Sequence, residues 1–303
     1  MKKIFFIIFI CMNVLACTTK SDRLIVGLIK PSLNHLPFEF GISEGLIAED
    51  EYDIKYFSAG WEANEALVSG KIDLSIMPFT YIWTDVAKGK KVKIISFLER
   101  ESDGIICTSN IQNLSELKEK KIGVLRASTL DVFAEMFSDK YNLNLEFVYF
   151  RTPMEMASAL QSGEVDALSF YVPSIFKFTD DFRIIHWFGE DFPSHTCCDI
   201  SATDYAIQNK KEQINKFMEE MKLSVTTLNE NNEKAITVAT KTFGLAEEII
   251  SKSLQFTEYK LNLSEHDKKF EKQVMEYMLK LGYVDTVPNP AEIYDDTFIH
   301  FSE

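Results

Sequence analysis

Sulfur and imidazole side chains gather in one short stretch late in the chain, where His195, Cys197 and Cys198 lie within residues 195–198. Thiolates and imidazoles are ligands that zinc prefers, but a closed structural zinc site needs four of them. The sequence offers no second pair with metal-ligand spacing. The stretch therefore predicts no metal site by itself, and packing of the thiols as small apolar groups is the alternative interpretation.

Other kinds of chemistry leave no pattern in this sequence. It contains no nucleophile placed beside a base, no paired-carboxylate motif and no glycine-rich loop of the kind that cradles phosphates. We therefore predict a binding protein without catalytic residues and without a cofactor.

Candidate ligand-binding residues follow the predicted strands, because ligands of open α/β sheets bind beyond the carboxyl ends of the strands. The residues at these positions are Asn34, His35, Trp61, Pro78, Phe79, Tyr81, Arg126, Ser128, Thr129, Arg151, Phe170 and Tyr171. The aromatic members are suited to stacking on a planar ring, although aromatic side chains more commonly belong to the core.

Two of these candidates are cationic, so a second type of ligand is possible. Arg126 and Arg151 have the geometry to pair with an anion in bidentate fashion, or else to form surface ion pairs. Ser128 and Thr129 precede a predicted helix, where a hydroxyl serves equally as an N-cap or as a ligand contact. Both interpretations stay open from the sequence.

The elements that would position these residues alternate regularly. Apolar strands and amphipathic helices follow one another over residues 24–98, and the rhythm restarts over residues 104–187. Such alternation predicts mostly parallel sheets flanked by helices. Beyond residue 202 the strand signal fades, and apolar spacing near 3.6 predicts a helical C-terminal segment over residues 211–281.

One short unit occurs twice in this alternation. Residues 66–73 are ALVSGKID and residues 159–166 are ALQSGEVD, so each copy ends a helix, turns at Ser-Gly and opens a strand with an aspartate. Each following strand runs into aromatic residues and a proline. The repeat predicts two similar α/β lobes with a ligand cleft between them.

The first residues predict a lipoprotein signal. Lys2 and Lys3 precede a short apolar run that ends in Leu15-Ala16-Cys17. The run is too short for a permanent membrane helix, which needs roughly 20 residues. We predict a signal peptide over residues 1–16, a tether over residues 17–21 and acylation of Cys17.

The net charge bears on the binding partners of the protein, and the cysteine count bears on its disulfides. The formal net charge of −14 disfavours binding to nucleic acid phosphates. Without Cys11 and Cys17, three cysteines remain in the mature chain, so no full disulfide framework is implied.

In this order, these motifs resemble type II periplasmic binding proteins of the sulfonate, nitrate and thiamine-pyrimidine importer class. The resemblance is carried by LPFEFGISEGL at residues 36–46, by the paired Ser-Gly turns, by DGII at residues 103–106 and by LGY at residues 281–283. It implies a two-lobed α/β fold and the substrate-binding lipoprotein of an ABC importer.

The resemblance also implies discontinuous lobes joined by two hinge strands. Residues 22–104 and 200–303 would form lobe one, and residues 105–199 would form lobe two. Because the two crossings would run side by side, a hinge disulfide between Cys107 and either Cys197 or Cys198 is a hypothesis.

The resulting expectation is a monomer, lipid-anchored on the periplasmic or extracellular face of the cell envelope, that delivers a small solute to a permease and its ATPase. A planar heterocycle such as a thiamine-related pyrimidine is the favoured ligand, and a sulfonate or nitrate anion is the alternative. A relative of thiamine-pyrimidine synthase and a ligand-sensing lipoprotein are the further alternatives.

Overall fold

The computed structural model describes residues 23–30, 32–178 and 181–299, so the predicted signal peptide and Cys17 lie outside the described residues. The strands are β1 (Leu24–Ile29), β2 (Tyr52–Phe57), β3 (Leu74–Pro78), β4 (Val92–Glu101), β5 (Asp103–Thr108), β6 (Lys121–Leu125), β7 (Glu146–Phe150), β8 (Ala167–Tyr171), β9 (Phe182–Trp187), β10 (Thr196–Thr203) and β11 (Thr257–Asn262). The α-helices are α1 (Leu36–Ser43), α2 (Gly60–Val68), α3 (Phe79–Ala87), α4 (Thr129–Tyr141), α5 (Pro153–Ser162), α6 (Asp204–Asn209), α7 (Lys211–Glu230), α8 (Asn232–Phe243), α9 (Glu247–Leu254), α10 (Glu265–Lys280) and α11 (Pro290–Ile293).

The strands form two sheets, which confirms the two-lobed α/β fold. A six-stranded sheet has the order β11-β4-β10-β3-β1-β2, and a five-stranded sheet has the order β7-β6-β8-β5-β9. We use lobe one for the six-stranded sheet with its helices and lobe two for the five-stranded sheet with its helices. The exact residue limits of the lobes given by the resemblance remain a prediction.

Both sheets are mixed, and most strands of each sheet run in one direction, as expected. β1 is parallel to β2 and β3, but β10 runs antiparallel to β3 and β4. In lobe two β6 is parallel to β7 and β8, while β5 runs antiparallel to β8 and β9. β5 and β10 are each the first strand after the chain crosses from one sheet to the other. Each runs antiparallel to both of its neighbours in the sheet that it joins.

The duplicated turn makes the same contacts in both lobes. Gly70 and Gly163 each have a positive φ, +68° and +76°, in the turn that ends α2 or α5. The backbone N–H of Ile25 donates to Asp73 Oδ2 at 2.9 Å, and that of Lys121 donates to Asp166 Oδ2 at 3.0 Å. Each aspartate thus fixes its strand to the neighbouring parallel strand, which explains why the two copies share that residue.

The two crossings between the lobes lie side by side. Glu101 and Ser102 separate β4 from β5 with φ values of 59° and 72°, a left-handed conformation that is costly for residues other than glycine. The N–H of Glu101 donates to His195 O on the return crossing at 3.0 Å. The turn at Glu101 and Ser102 makes the end of β4 and the start of β5 face the same space.

The C-terminal segment is mostly helical, as predicted, but it also contains β11. This strand pairs with β4 at the edge of the six-stranded sheet. Only Tyr259 among its residues is fully buried, so its apolar signal is weak and resembles that of a helix end. None of the described helices is long and apolar enough to cross a membrane.

Candidate functional site

A cavity of about 60 Å³ lies between the two lobes, at the carboxyl ends of β1 and β3 and beside the start of α4. Six of the predicted site residues line it: Asn34, Pro78, Tyr81, Ser128, Thr129 and Tyr171. The lining also includes Ser32, which follows β1, and six polar residues that the rule for strand ends does not find: Ser58, Glu99, Ser102, Asp103, Cys197 and Cys198. A cavity of this size holds a few water molecules, so an organic ring needs the lobes to part.

Two buried carboxyl groups form the floor of this cavity. Burial raises the pKa of the Glu99 carboxyl from its ordinary 4.5 to about 8, and the nearby charge of Asp103 adds to the rise. Burial likewise raises the pKa of the Asp103 carboxyl to about 7. No lysine, arginine or histidine occurs among the described residues that line the cavity. The floor therefore favours a ligand that donates hydrogen bonds or carries positive charge, and it disfavours an anion.

Two thiols complete this floor because β10 has a bulge. Consecutive residues of a regular strand point to opposite faces of the sheet, yet Cys197 Sγ and Cys198 Sγ are only 3.6 Å apart. The register with β4 shifts on both sides of Cys198, which turns both side chains toward the cavity. Cys197 Sγ contacts Asp103 Oδ2 at 3.3 Å.

The floor also contains three groups that are able to ligate a metal ion. Atoms of Glu99, Cys197 and Cys198 lie within 4.8 Å of one another. Burial raises the pKa of the Cys198 thiol to about 11, and the pKa of the Cys197 thiol is raised by its contact with Cys198 and by burial. A metal would have to displace both protons. As protonated thiols, both residues act as hydrogen-bonding groups beside the carboxyls.

A histidine outside the cavity holds one of the lining amides. Asn34 Nδ2 donates to Cys198 Sγ at 3.6 Å, while Asn34 Oδ1 lies 2.7 Å from His35 Nδ1. Burial lowers the pKa of His35 to about 3, so its imidazole is neutral and packs edge-on against Phe243. His35 positions Asn34 and does not itself reach the cavity.

The start of α4 carries its own negative charge, which argues against an anion at this helix end. Asp131 Oδ2 accepts from the Ala127 N–H at 2.6 Å, so the aspartate already occupies this position. Ser128 does not act as a side-chain cap but donates to Leu125 O at 2.6 Å. Thr129 Oγ1 lies 3.7 Å from Cys197 Sγ, which joins α4 to the floor of the cavity.

The model of the family described as NMT1/THI5 like matches residues 33–235. This match includes every residue of the cavity floor and spans well over half of the chain. The chain belongs to the NMT1/THI5-like family. No curated protein sequence matches the chain.

Three solved structures with the same fold are solute-binding proteins, and each is less than 20% identical to this chain. The ligand-binding component of an ABC-type import system from Staphylococcus aureus, solved with zinc bound, gives a TM-score of 0.78 at 15% identity over 91% of this chain and 97% of that one. The periplasmic aliphatic sulphonate binding protein SsuA from Escherichia coli gives 0.76 at 19% identity over 94% and 96%. The periplasmic nitrate-binding protein NrtA from Synechocystis PCC 6803 gives 0.76 at 13% identity over 91% and 87%. These likenesses establish the periplasmic binding protein fold for this family member.

Two predicted aromatic contacts are core residues in this family member. Phe79 is fully buried in the hydrophobic core of lobe one, and Phe170 is buried against Tyr171 and Phe178 in lobe two. Neither ring lines the cavity between the lobes. Phe79 begins α3 and points into the core, and Phe170 packs within lobe two, so neither is a contact of this cavity.

The other three predicted residues lie outside the cavity. Trp61 is partly exposed, and its Nε1 donates to Arg151 O across the gap between the lobes at 3.1 Å. The Arg126 guanidinium lies over the rings of Tyr149 and Tyr283, at 5.4 and 5.8 Å. Neither arginine side chain lines the cavity, so the anion site expected around Arg126 and Arg151 is not formed there.

The hypothesis of a hinge disulfide is wrong. All three cysteines of the described chain are free. Cys197 contacts Asp103 at the start of β5, whereas Cys107 lies four residues further along this strand, about 13 Å away at the usual rise per residue. The two crossings do run side by side, but Cys107 lies further along β5 than the point where Cys197 contacts that strand.

The raised pKa of Glu99 predicts a dependence of stability on pH. A carboxyl whose pKa rises from 4.5 unfolded to about 8 folded contributes stability below pH 4.5 that is lost as the pH rises through 8. Glu99→Gln removes this loss. Between pH 4.5 and pH 8 we therefore expect the difference in free energy of unfolding between the variant and the wild type to shift in favour of the variant by about 5 kcal/mol.

Urea unfolding at several pH values measures this difference. Glu230→Gln, at an exposed position on α7, is the control and should follow the wild type at each pH. Parallel curves for Glu99→Gln and the wild type would show that Glu99 ionises as freely in the fold as in the unfolded chain.

Proposed function

We propose that this protein is the substrate-binding component of an ABC importer and that it captures a small planar heterocycle, such as a thiamine-related pyrimidine, between its lobes. The observation that carries the proposal is the cavity floor, where Glu99 and Asp103 face a space without a cationic side chain among its described lining. An aminopyrimidine offers amino hydrogens to such carboxyls and a flat face to aromatic walls. Tyr81 and Tyr171 supply those walls.

Anion binding has less support as the alternative. A sulfonate or nitrate needs hydrogen-bond donors or cations that match its charge. Here the ionisable groups of the floor are acids and thiols, and the start of α4 is already satisfied by Asp131. The aliphatic sulphonate and nitrate specificities of the structural neighbours therefore do not fit the lining of this cleft.

Capture would work by a shift between open and closed lobes. The turn at Glu101 and Ser102 and the return crossing at Ser194 form the hinge, and a ligand that contacts both lobes favours the closed form. The closed form would then be recognised by the permease, while acylated Cys17 would hold the monomer at the outer face of a membrane. We propose no catalytic step.

A thermal-shift comparison tests this function. We expect 4-amino-5-hydroxymethyl-2-methylpyrimidine to raise the melting temperature of the mature chain, and alkanesulfonates and nitrate to leave it unchanged. Small-angle X-ray scattering should show a smaller radius of gyration with the pyrimidine. Stabilisation by the anions alone would overturn the proposed ligand class, and tight binding of the pyrimidine without compaction would overturn the hinge mechanism.

A further inference from the structure

A second cavity, of about 390 Å³, adjoins the first one on the side of lobe two. Three residues line both spaces, namely Ser58, Pro153 and Tyr171, so the two cavities share part of their walls. The second cavity is several times larger than the first and has room for a ring or a short chain. A solute long enough to pass these shared residues would occupy both cavities.

The second cavity has apolar walls. Phe170 and Phe178 lie with ring centroids 6.2 Å apart and both line it, together with Met154, which is 78% exposed at its edge. These side chains offer contact area to an aromatic or aliphatic group but few hydrogen bonds. The buried Phe170 side chain thus faces this second space and not the space between the carboxyls.

The ionisable side chains of the two cavities differ in kind: carboxyls and thiols line the first, and lysines line the second. The ionisable side chains with a full charge at the second cavity are Lys30 and Lys177, and no acidic residue occurs among the described residues that line it. Lys30 Nζ is balanced by Glu39 at 3.0 Å. Lys177 forms no ion pair with any described residue and so leaves a cationic edge that an anionic group would complement.

We infer that the cleft binds a two-part solute, with a donor-bearing head at Glu99 and Asp103 and a larger tail in the second cavity that ends in an anionic group near Lys177. This inference rests on the proposed function for the head and adds the tail. It explains why a floor without a cationic side chain is joined to an edge that has one. Phosphate and carboxylate tails share the required chemistry.

Thiamine and thiamine monophosphate form a matched pair for the test, because both carry the aminopyrimidine head and they differ by one phosphate. Calorimetry on the mature chain should give roughly tenfold tighter binding for the monophosphate, as for one charge-assisted contact. Lys177→Gln should reduce that ratio below about threefold and leave the affinity for thiamine unchanged. Lys118→Gln, at an exposed position that lines neither cavity, should keep the wild-type ratio.

The outcomes separate the two proposals. If the free aminopyrimidine, thiamine and the monophosphate all fail to bind, the proposed function is wrong. If the free aminopyrimidine binds but the phosphate brings no advantage, or if the advantage survives in Lys177→Gln, the proposed function stands and the two-part ligand is overturned. Loss of the advantage at high salt in the wild type is expected, since the contact is electrostatic and exposed.

Discussion

Replacing Glu99 by leucine should weaken the binding of an aminopyrimidine about thirtyfold, which corresponds to roughly 2 kcal/mol for one hydrogen bond to a carboxyl group. Leucine has a similar volume and removes the only feature of Glu99 that the ligand needs. Glu99→Gln should lie between the wild type and the leucine variant, because its amide still accepts a hydrogen bond from the amino group.

The stability of the same variant separates a ligand contact from a structural role. Glu99 is 3% exposed, so its carboxyl is costly to bury, and an apolar side chain of similar size should fold at least as well. We expect urea unfolding of Glu99→Leu at pH 7 to give an equal or higher free energy of unfolding. Unchanged affinity would contradict the assignment of Glu99 to the ligand, and a large loss of stability would mean that it supports the fold instead.

Arg100→Ala should lower the free energy of unfolding by about 4 kcal/mol, the cost of leaving a buried partner without its counter-charge. The guanidinium donates to both carboxylate oxygens of Asp267, at 3.0 and 2.8 Å, and the two side chains are 3% and 8% exposed. It also donates to Ser194 O at 3.0 Å and to Asn262 Oδ1 at 2.8 Å. One side chain thus ties the hinge to β11 and α10.

A matched exposed pair provides the control for this prediction. Lys252 and Glu248 form an ion pair at 2.7 Å on the surface of α9, and Lys252→Ala should change the free energy of unfolding by less than about 0.5 kcal/mol. A loss below about 1 kcal/mol for Arg100→Ala would mean that Asp267 finds other partners. In the wild type, burial raises the pKa of Asp267, but the hydrogen bonds from Arg100 outweigh burial and hold this pKa below its ordinary value. The stabilisation from the ion pair should therefore be lost as the pH falls through the lowered pKa.

The fold could be predicted from the sequence where the signals are local. The Ser-Gly turns and the aspartates after them depend on residues within one helix–turn–strand unit, and both copies fold as expected. β11 was missed because its burial comes from contact with β4, more than a hundred and fifty residues earlier, and its own residues alternate weakly.

The site was only half predictable, for a related reason. Residues such as Asn34 and Tyr81 follow strands of the repeated unit, so the rule for strand ends finds them. Glu99 and Asp103 belong to the crossing between lobes, where two left-handed residues turn both carboxyls into one space. The bulge at Cys198 depends on the pairing of β10 with β4 and has no signature in the sequence of β10 alone.

The crystal structure of the mature chain with 4-amino-5-hydroxymethyl-2-methylpyrimidine tests the central claim most directly, because it locates the ligand and its polar partners together. We predict the ring between Tyr81 and Tyr171, with its amino group within about 3.2 Å of a carboxyl oxygen of Glu99 or Asp103. A ring bound away from these carboxyls, or one that turns its amino group away from them toward Arg126 or Arg151, would contradict the account.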